Sequence, residues 1–244
     1  MIALLALLML LCCAQAGLGG TTAQRKAYVY EQIQQRGHIL VWATKDGVRL
    51  KNLVWNLEVV TKAPTWQVVV FNKTAKTYAK ETLKVWVREG LDVTRDMERP
   101  VFPASTRIGT VTRFGHKCGI YLEPANITIV DPMTHAPTGF ISGLRYELLD
   151  ESDFDPNVAL AISSNYGLLP SKQLAINADR NYRDKGWTKD LRTLNFKEIP
   201  LKDAQIEYPN LTGYKECESP SVVLMSGRPK AIPEELIFDP DRKP

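Results

Sequence analysis

Three histidines, His38, His116 and His135, two cysteines in the body of the chain, Cys118 and Cys217, and an acidic run, Asp150-Glu151-Asp153-Asp155, are the side chains with which this sequence could do chemistry. The histidines have neither metal-ligand spacing nor an acidic neighbour arranged as in a zinc motif, so no metal is assigned. No Gly-x-Ser-x-Gly elbow and no phosphate-cradling glycine loop is present. In His116-Lys117-Cys118 a cation stands beside a thiol, which could lower its pKa and make a nucleophile; the same triplet is ordinary in turns. The acidic run offers oxygen ligands of the kind Ca²⁺ takes, yet lacks the glycine turn and twelve-residue ligand order, and reads better as a solvated loop with a helix cap. No catalytic residue and no cofactor is assigned. A secreted hydrolase assembled from distant residues is the enzymatic alternative left.

The N-terminus says where such chemistry would have to work. Met1 to Ala16 carries no charged side chain and ends in Ala14-Gln15-Ala16, a small-x-small pattern that fits signal-peptide cleavage before Gly17. The stretch is shorter than the ~20 apolar residues that span a bilayer. It predicts an exported protein, periplasmic or secreted, which excludes most ATP- and NAD-dependent chemistry. Cys12 and Cys13 do not follow the small residue that a lipoprotein signal requires. In an oxidising compartment Cys118 and Cys217 invite a disulfide, whose loop of about 100 residues would contribute up to about 4.7 kcal/mol; two reduced thiols fit the sequence equally. The sequons at Asn72, Asn126 and Asn210 are of the kind that chance supplies.

Apolar residues are 44% and charged residues 24%, which marks a globular chain rather than a disordered one. The net charge of +4 is spread along the chain instead of gathered in a basic run, so nothing recommends a nucleic-acid partner.

The elements are mainly strands. His38 to Ala43 and Val48 to Leu53 flank Lys45-Asp46-Gly47, a hairpin signal in which Gly47 is expected to supply the positive φ of a tight turn. Trp55 to Thr61, Trp66 to Phe71 and Thr77 to Ala79 continue an antiparallel meander. Glu81 to Glu89 leans towards a short helix, and Arg95 to Pro103 suits a connecting loop. Strands resume at Arg107 to Phe114 and Lys117 to Leu122, turning at Gly115-His116, and again at Asn126 to Val130 and Phe140 to Leu149. Asp155-Pro156 caps a helix over Val158 to Ser164. Ser171 to Trp187 is mixed and polar, while Leu191 to Ile199 and Ser221 to Met225 read as strands. The expected fold is mainly β, with about ten or eleven strands and two or three short helices, in a strongly curved antiparallel sheet that forms an incomplete barrel.

Three stretches, taken in order, resemble the LolA/LolB-like outer-membrane lipoprotein carriers: Thr61 to Asn72 with the Lys/Tyr strand after it, Gly115 to Tyr121, and Thr193 to Pro209 followed by Gly213-Tyr214. The resemblance implies a curved, incomplete barrel with helices across its mouth, and an apolar concavity that shields acyl chains. No residue here can be matched to the arginine that helps close the carrier's lid.

The expectation is therefore a non-enzymatic exported protein, monomeric, that binds an acyl chain or another apolar ligand, a lipoprotein included, in the concave face of the sheet. The candidate lining residues are Trp42, Trp66, Val68, Val70 and Tyr121. For any single tryptophan of the set Trp42, Trp55, Trp66, Trp86 and Trp187, core packing is the stronger reading, because aromatic side chains dominate cores. The chain divides into a signal peptide (1–16), one curved-sheet domain (17–226) and a Pro-rich tail (227–244). The rival is an envelope protein–protein interaction module whose concavity is filled by its own side chains.

Overall fold

The computed structural model describes residues 26–34, 37–91, 106–130, 137–150, 154–168, 171–204 and 206–227. The segments expected to form a signal peptide (1–16), a connecting loop (95–103) and a Pro-rich tail (227–244, beyond its first residue) lie outside them, as do His135, Glu151 and Asp153. Twelve strands form one open sheet in the order β12-β6-β5-β4-β3-β2-β1-β11-β10-β9-β8-β7, not closed into a barrel. They are β1 (Lys26–Gln34), β2 (Gly37–Thr44), β3 (Gly47–Asn52), β4 (Leu57–Lys62), β5 (Gln67–Asn72), β6 (Thr77–Thr82), β7 (Arg107–Arg113), β8 (His116–Val130), β9 (Pro137–Leu149), β10 (Ala175–Tyr182), β11 (Gly186–Pro200) and β12 (Lys215–Glu216). All neighbours are antiparallel except β12, which runs parallel to β6. The helices are α1 (Leu83–Glu89), α2 (Pro156–Asn165) and α3 (Pro220–Ser226).

The β2–β6 meander follows the expected alternation, with turn residues shifted. Thr44 pairs with Gly47, so Lys45-Asp46 makes the β2–β3 turn and Gly47 opens the next strand without a positive φ. Its glycine is needed for another reason: a Cβ there would stand 2.8 Å from the Lys62 Cβ and 3.0 Å from Ile206. Likewise Arg113 pairs with His116, which moves the β7–β8 turn to Phe114-Gly115, at φ 51° and 81°. Two positive-φ residues match the right-handed twist of a hairpin.

Other expectations need correction. Lys117 to Leu122 and Asn126 to Val130 belong to one strand, β8. Ser221 to Met225 is the helix α3, entered through Ser219-Pro220, and a run of four apolar residues cannot by itself separate helix from strand. β1 and β10 are strands that the apolar pattern did not mark. On β1 the polar Gln32 and Gln34 alternate with Ile33 and are themselves buried, inverting the usual reading. On β10, Asn177 and Asp179 serve a polar face, where Asn177 donates to Glu147 (2.5 Å) and Asp179 accepts from Arg192 (2.5 Å). The two helices expected around 81–89 and 158–164 are present as α1 and α2, and Asp155 caps α2 by accepting from the Asn157 N–H at 2.9 Å.

One face of β1–β6 is apolar: Val41, Val48, Leu50, Val59, Val68 and Val70 are buried in one core with Trp86 of α1, Val158 and Ile162 of α2 and Val223 of α3. Trp86 fixes α1 to α2 by donating from Nε1 to the Ala161 carbonyl (2.9 Å). The far half of the sheet curls towards this face. Three strand steps of ~4.8 Å put β8 about 14 Å from β11 in a flat sheet, yet the His116 and Phe196 rings lie 5.1 Å apart.

Candidate functional site

The curl gathers aromatic rings from elements remote in sequence. Phe196 of β11 stacks on Tyr30 of β1 (5.3 Å) and tilts against Tyr28 (5.2 Å). Phe154, just before α2, meets Tyr28 edge-on at 5.1 Å. From the β7–β8 turn, His116 approaches Phe196 edge-on and Phe114 lies 6.3 Å from it. Phe114 is 43% exposed, whereas Tyr30 is fully buried, so the cluster runs from solvent to core. Such a graded surface can take up an apolar chain by removing it from water.

Beneath the rings lies a polar seam. Tyr166, which ends α2, donates to Gln32 Oε1 (2.5 Å), and the Gln32 amide donates to the Ala175 carbonyl (3.0 Å) and to Thr193 Oγ1 (2.9 Å). The Thr193 hydroxyl in turn donates to the Ile176 carbonyl (2.5 Å). Burial pushes the Tyr166 phenol well above its ordinary range, and burial together with Tyr166 does the same to Tyr30. Both stay neutral. The Tyr30 hydroxyl has no hydrogen-bond partner among the described residues. Further along, Arg180 faces Asp190 at 2.7 Å and donates to the Gly167 carbonyl (3.4 Å), inside the curl.

The five expected lining residues do not share one surface. Val68 and Val70 are fully buried in the core, Trp66 and Tyr121 are half-buried against it, and Trp42 stands on the opposite face, between the inward Val41 and Ala43. The ring cluster was missed because Tyr28 and Tyr30 sit on the unmarked strand β1, although their i, i+2 spacing was the available signal.

The remaining chemistry-bearing residues serve structure. Cys118 and Cys217 are both free thiols, one of the two states the sequence left open; β8 lies near one end of the strand order and β12, which Cys217 follows, at the other. Burial, then the charges of Glu147 and Asp150, push the Cys118 thiol up to about 11, the reverse of an activated nucleophile. His38 contacts Glu31 (2.9 Å), Asp150 accepts from Arg107 (2.6 Å), and Asp155 is the cap described above. No metal-ligating group of three exists among the described residues. Asn72 is buried with its amide committed to Trp55, Thr74 and Ala75, which closes that sequon to modification.

The fold so defined is an open, curled, twelve-stranded sheet with three helices on its inner face. An uncharacterized conserved protein from Thermus thermophilus is similar at a TM-score of 0.43 and 10% identity, over 80% of this chain and 91% of that one. A Vibrio parahaemolyticus domain described as a putative outer membrane lipoprotein-sorting protein domain is similar at 0.30 and 9%, over 79% and 94%. Likenesses this distant assign no function. No family model and no curated protein matches the sequence.

Proposed function

We propose that this protein is an exported, non-enzymatic binder of an acyl chain or similar apolar ligand, taken up at the ring cluster of Tyr28, Phe114, Phe154 and Phe196. The observation that carries the reading is the continuity of that cluster from the exposed Phe114 to the buried Tyr30. Trp66 and Tyr121 flank the proposed path, and Val68 and Val70 belong to its packed floor. Affinity comes from apolar burial, with the apolar end of the ligand towards the buried Tyr30 and any charged end at the exposed Phe114. Transport of a lipoprotein acyl chain through the periplasm is the form of this activity that the resemblance implies.

The test is titration of the delipidated protein with a fluorescent fatty acid. Saturable binding is expected, and the variant Phe114→Ala weakens it by about 10- to 100-fold, in line with roughly 1.5–3 kcal/mol for one ring buried by the ligand. Trp42→Ala, on the other face, leaves it unchanged. Absence of saturable binding sinks the proposal. The full burial of Val68 and Val70 beneath the helices favours one second reading, an interaction module with a self-filled interior, which predicts that no apolar ligand copurifies in native mass spectrometry.

A further inference from the structure

On the opposite side of β3–β6 the fold assembles a basic, aromatic surface that the sequence disperses. Val48, Leu50, Leu57, Val59, Val68, Val70 and Ala79 point into the core, so their neighbours Arg49, Lys51, Lys62 and Lys80 point the other way. Lys73 and Lys76 join them from the β5–β6 turn. Segment 206–214 crosses this face, and its Tyr208, Leu211 and Tyr214 pack with Tyr78 on Val60, Val69 and Phe71. The lysines lie over these rings: Lys62 over Tyr208 (5.6 Å), Lys76 over Tyr214 (4.8 Å), Lys80 over Tyr78 (5.3 Å) and Lys73 over Phe71 (6.0 Å).

Among the described residues the acidic groups on this face are Glu58, Glu207 and Glu216, and each is engaged. Glu58 holds Arg49 and Lys73, Glu207 holds Lys62 (2.6 Å), and Glu216 accepts from the Tyr78 hydroxyl (3.0 Å). Lys51, Lys76 and Lys80 have no acidic partner among the described residues, and Lys80 is exposed. The surface is thus left with unbalanced positive charge.

We infer that this face docks on an anionic phospholipid bilayer. Charge complementarity gives the attraction, and two features favour a membrane over a nucleic acid. The free cations are lysines, compact point charges suited to a diffuse anionic surface, whereas the single guanidinium, Arg49, is committed to Glu58. Tyrosine rings beside lysines form the amphipathic pair that settles at the headgroup level. The face is also the outer side of the curled sheet, turned away from its concavity. The inference stands apart from the ligand proposal, because it rests on the other face of the sheet.

Flotation of the full chain with vesicles tests it, comparing about 30 mol% phosphatidylglycerol in phosphatidylcholine with phosphatidylcholine alone. Binding to the anionic vesicles only, lost as salt rises, is expected. The variant Lys51→Gln/Lys76→Gln/Lys80→Gln should lower the partition coefficient about 100-fold, from roughly fivefold per lysine. An equally discharged control, Lys117→Gln/Lys172→Gln/Lys185→Gln, should keep binding within about threefold of the parent, with both variants retaining the parent far-UV spectrum. Equal losses in both variants, no binding to either vesicle, or tighter binding to a DNA duplex than to the anionic vesicles would each overturn it. Fatty-acid titration of the same variants, unchanged in either case, separates this outcome from the ligand proposal.

Discussion

Glu81 is a carboxylate placed where apolar neighbours discourage its charge. It pairs across the sheet with Val68, which is fully buried, and its Oε2 has no hydrogen-bond partner among the described residues. Burial, then the nearby charge of Glu89, raises its pKa from 4.5 to about 7, against a smaller opposing pull from Arg88. The folded state therefore holds this proton more tightly than the unfolded chain. The contribution of Glu81 to stability is fully present below pH 4.5 and is lost as pH rises to about 7. Because the group is only half-buried, the loss is about 1–2 kcal/mol rather than the full linkage value. Urea unfolding of Glu81→Gln should show it more stable than the parent by that amount at pH 8 and indistinguishable at pH 4; equal effects at both pH values would refute the assignment. Glu147 shows the opposite balance: burial raises it, but hydrogen bonds from Arg113 and Asn177 and the charges of Arg113 and Arg145 hold it below the ordinary carboxylate range.

Individual elements owe their limits to contacts that sequence periodicity does not contain. Gly47 begins β3 with an ordinary strand φ, so alanine there gains about 0.5–1 kcal/mol in backbone entropy. Against this, the added methyl would crowd the Lys62 Cβ, Ile206 and the Thr61 carbonyl, at 2.8, 3.0 and 3.2 Å. Two of these atoms belong to the adjacent strand and cannot swing away, and overpacking of this kind costs about 1–3 kcal/mol. Gly47→Ala should be less stable by about 1–2 kcal/mol in urea unfolding, through crowding rather than through backbone strain. A gain in stability would mean that segment 206–214 yields easily. α1 is equally constrained at its end: Gly90 has φ 61° and leaves only 2.4 Å between an added Cβ and the Ser164 carbonyl of α2. That close approach explains how a helix as short as Leu83–Glu89 holds its place, since local propensity alone cannot sustain it.

At the scale of the whole molecule β1 is the joint. It is hydrogen-bonded to β2 on one side and β11 on the other, linking the N-terminal meander to the strands that curl back over it. Gln32 ties that joint to α2 through Tyr166 and to β10 and β11 through Ala175 and Thr193. Gln32→Ala strands the Ala175 carbonyl and the Tyr166 hydroxyl, for a cost of about 2–4 kcal/mol. Far-UV circular dichroism and tryptophan fluorescence should shift to lower urea together, because both halves share one core. Separate transitions would show that the halves fold independently.

The apolar runs of β2–β5 and the Asp155-Pro156 start of α2 could be read directly, because period-two burial and a helix cap are local properties. The mainly β class and the open, curved sheet followed from them. β1 and β10 could not be read, since their inward glutamines and buried arginine are tolerable only through partners distant in the chain, such as Tyr166 at 134 residues from Gln32. The same limit governed the site: alternation assigns residues to two faces but not which face is inner, so Trp42 was grouped with Val68 although the sheet separates them. Nor could a linear order reveal that Phe114, Phe154 and Phe196 converge with Tyr28, or that lysines scattered from β3 to β6 collect on one side. Residue types and their spacing marked the strands with a local apolar period; long-range pairing and curl decided the remaining strands and which side chains meet, because contact is a property of the folded chain and not of distance along it.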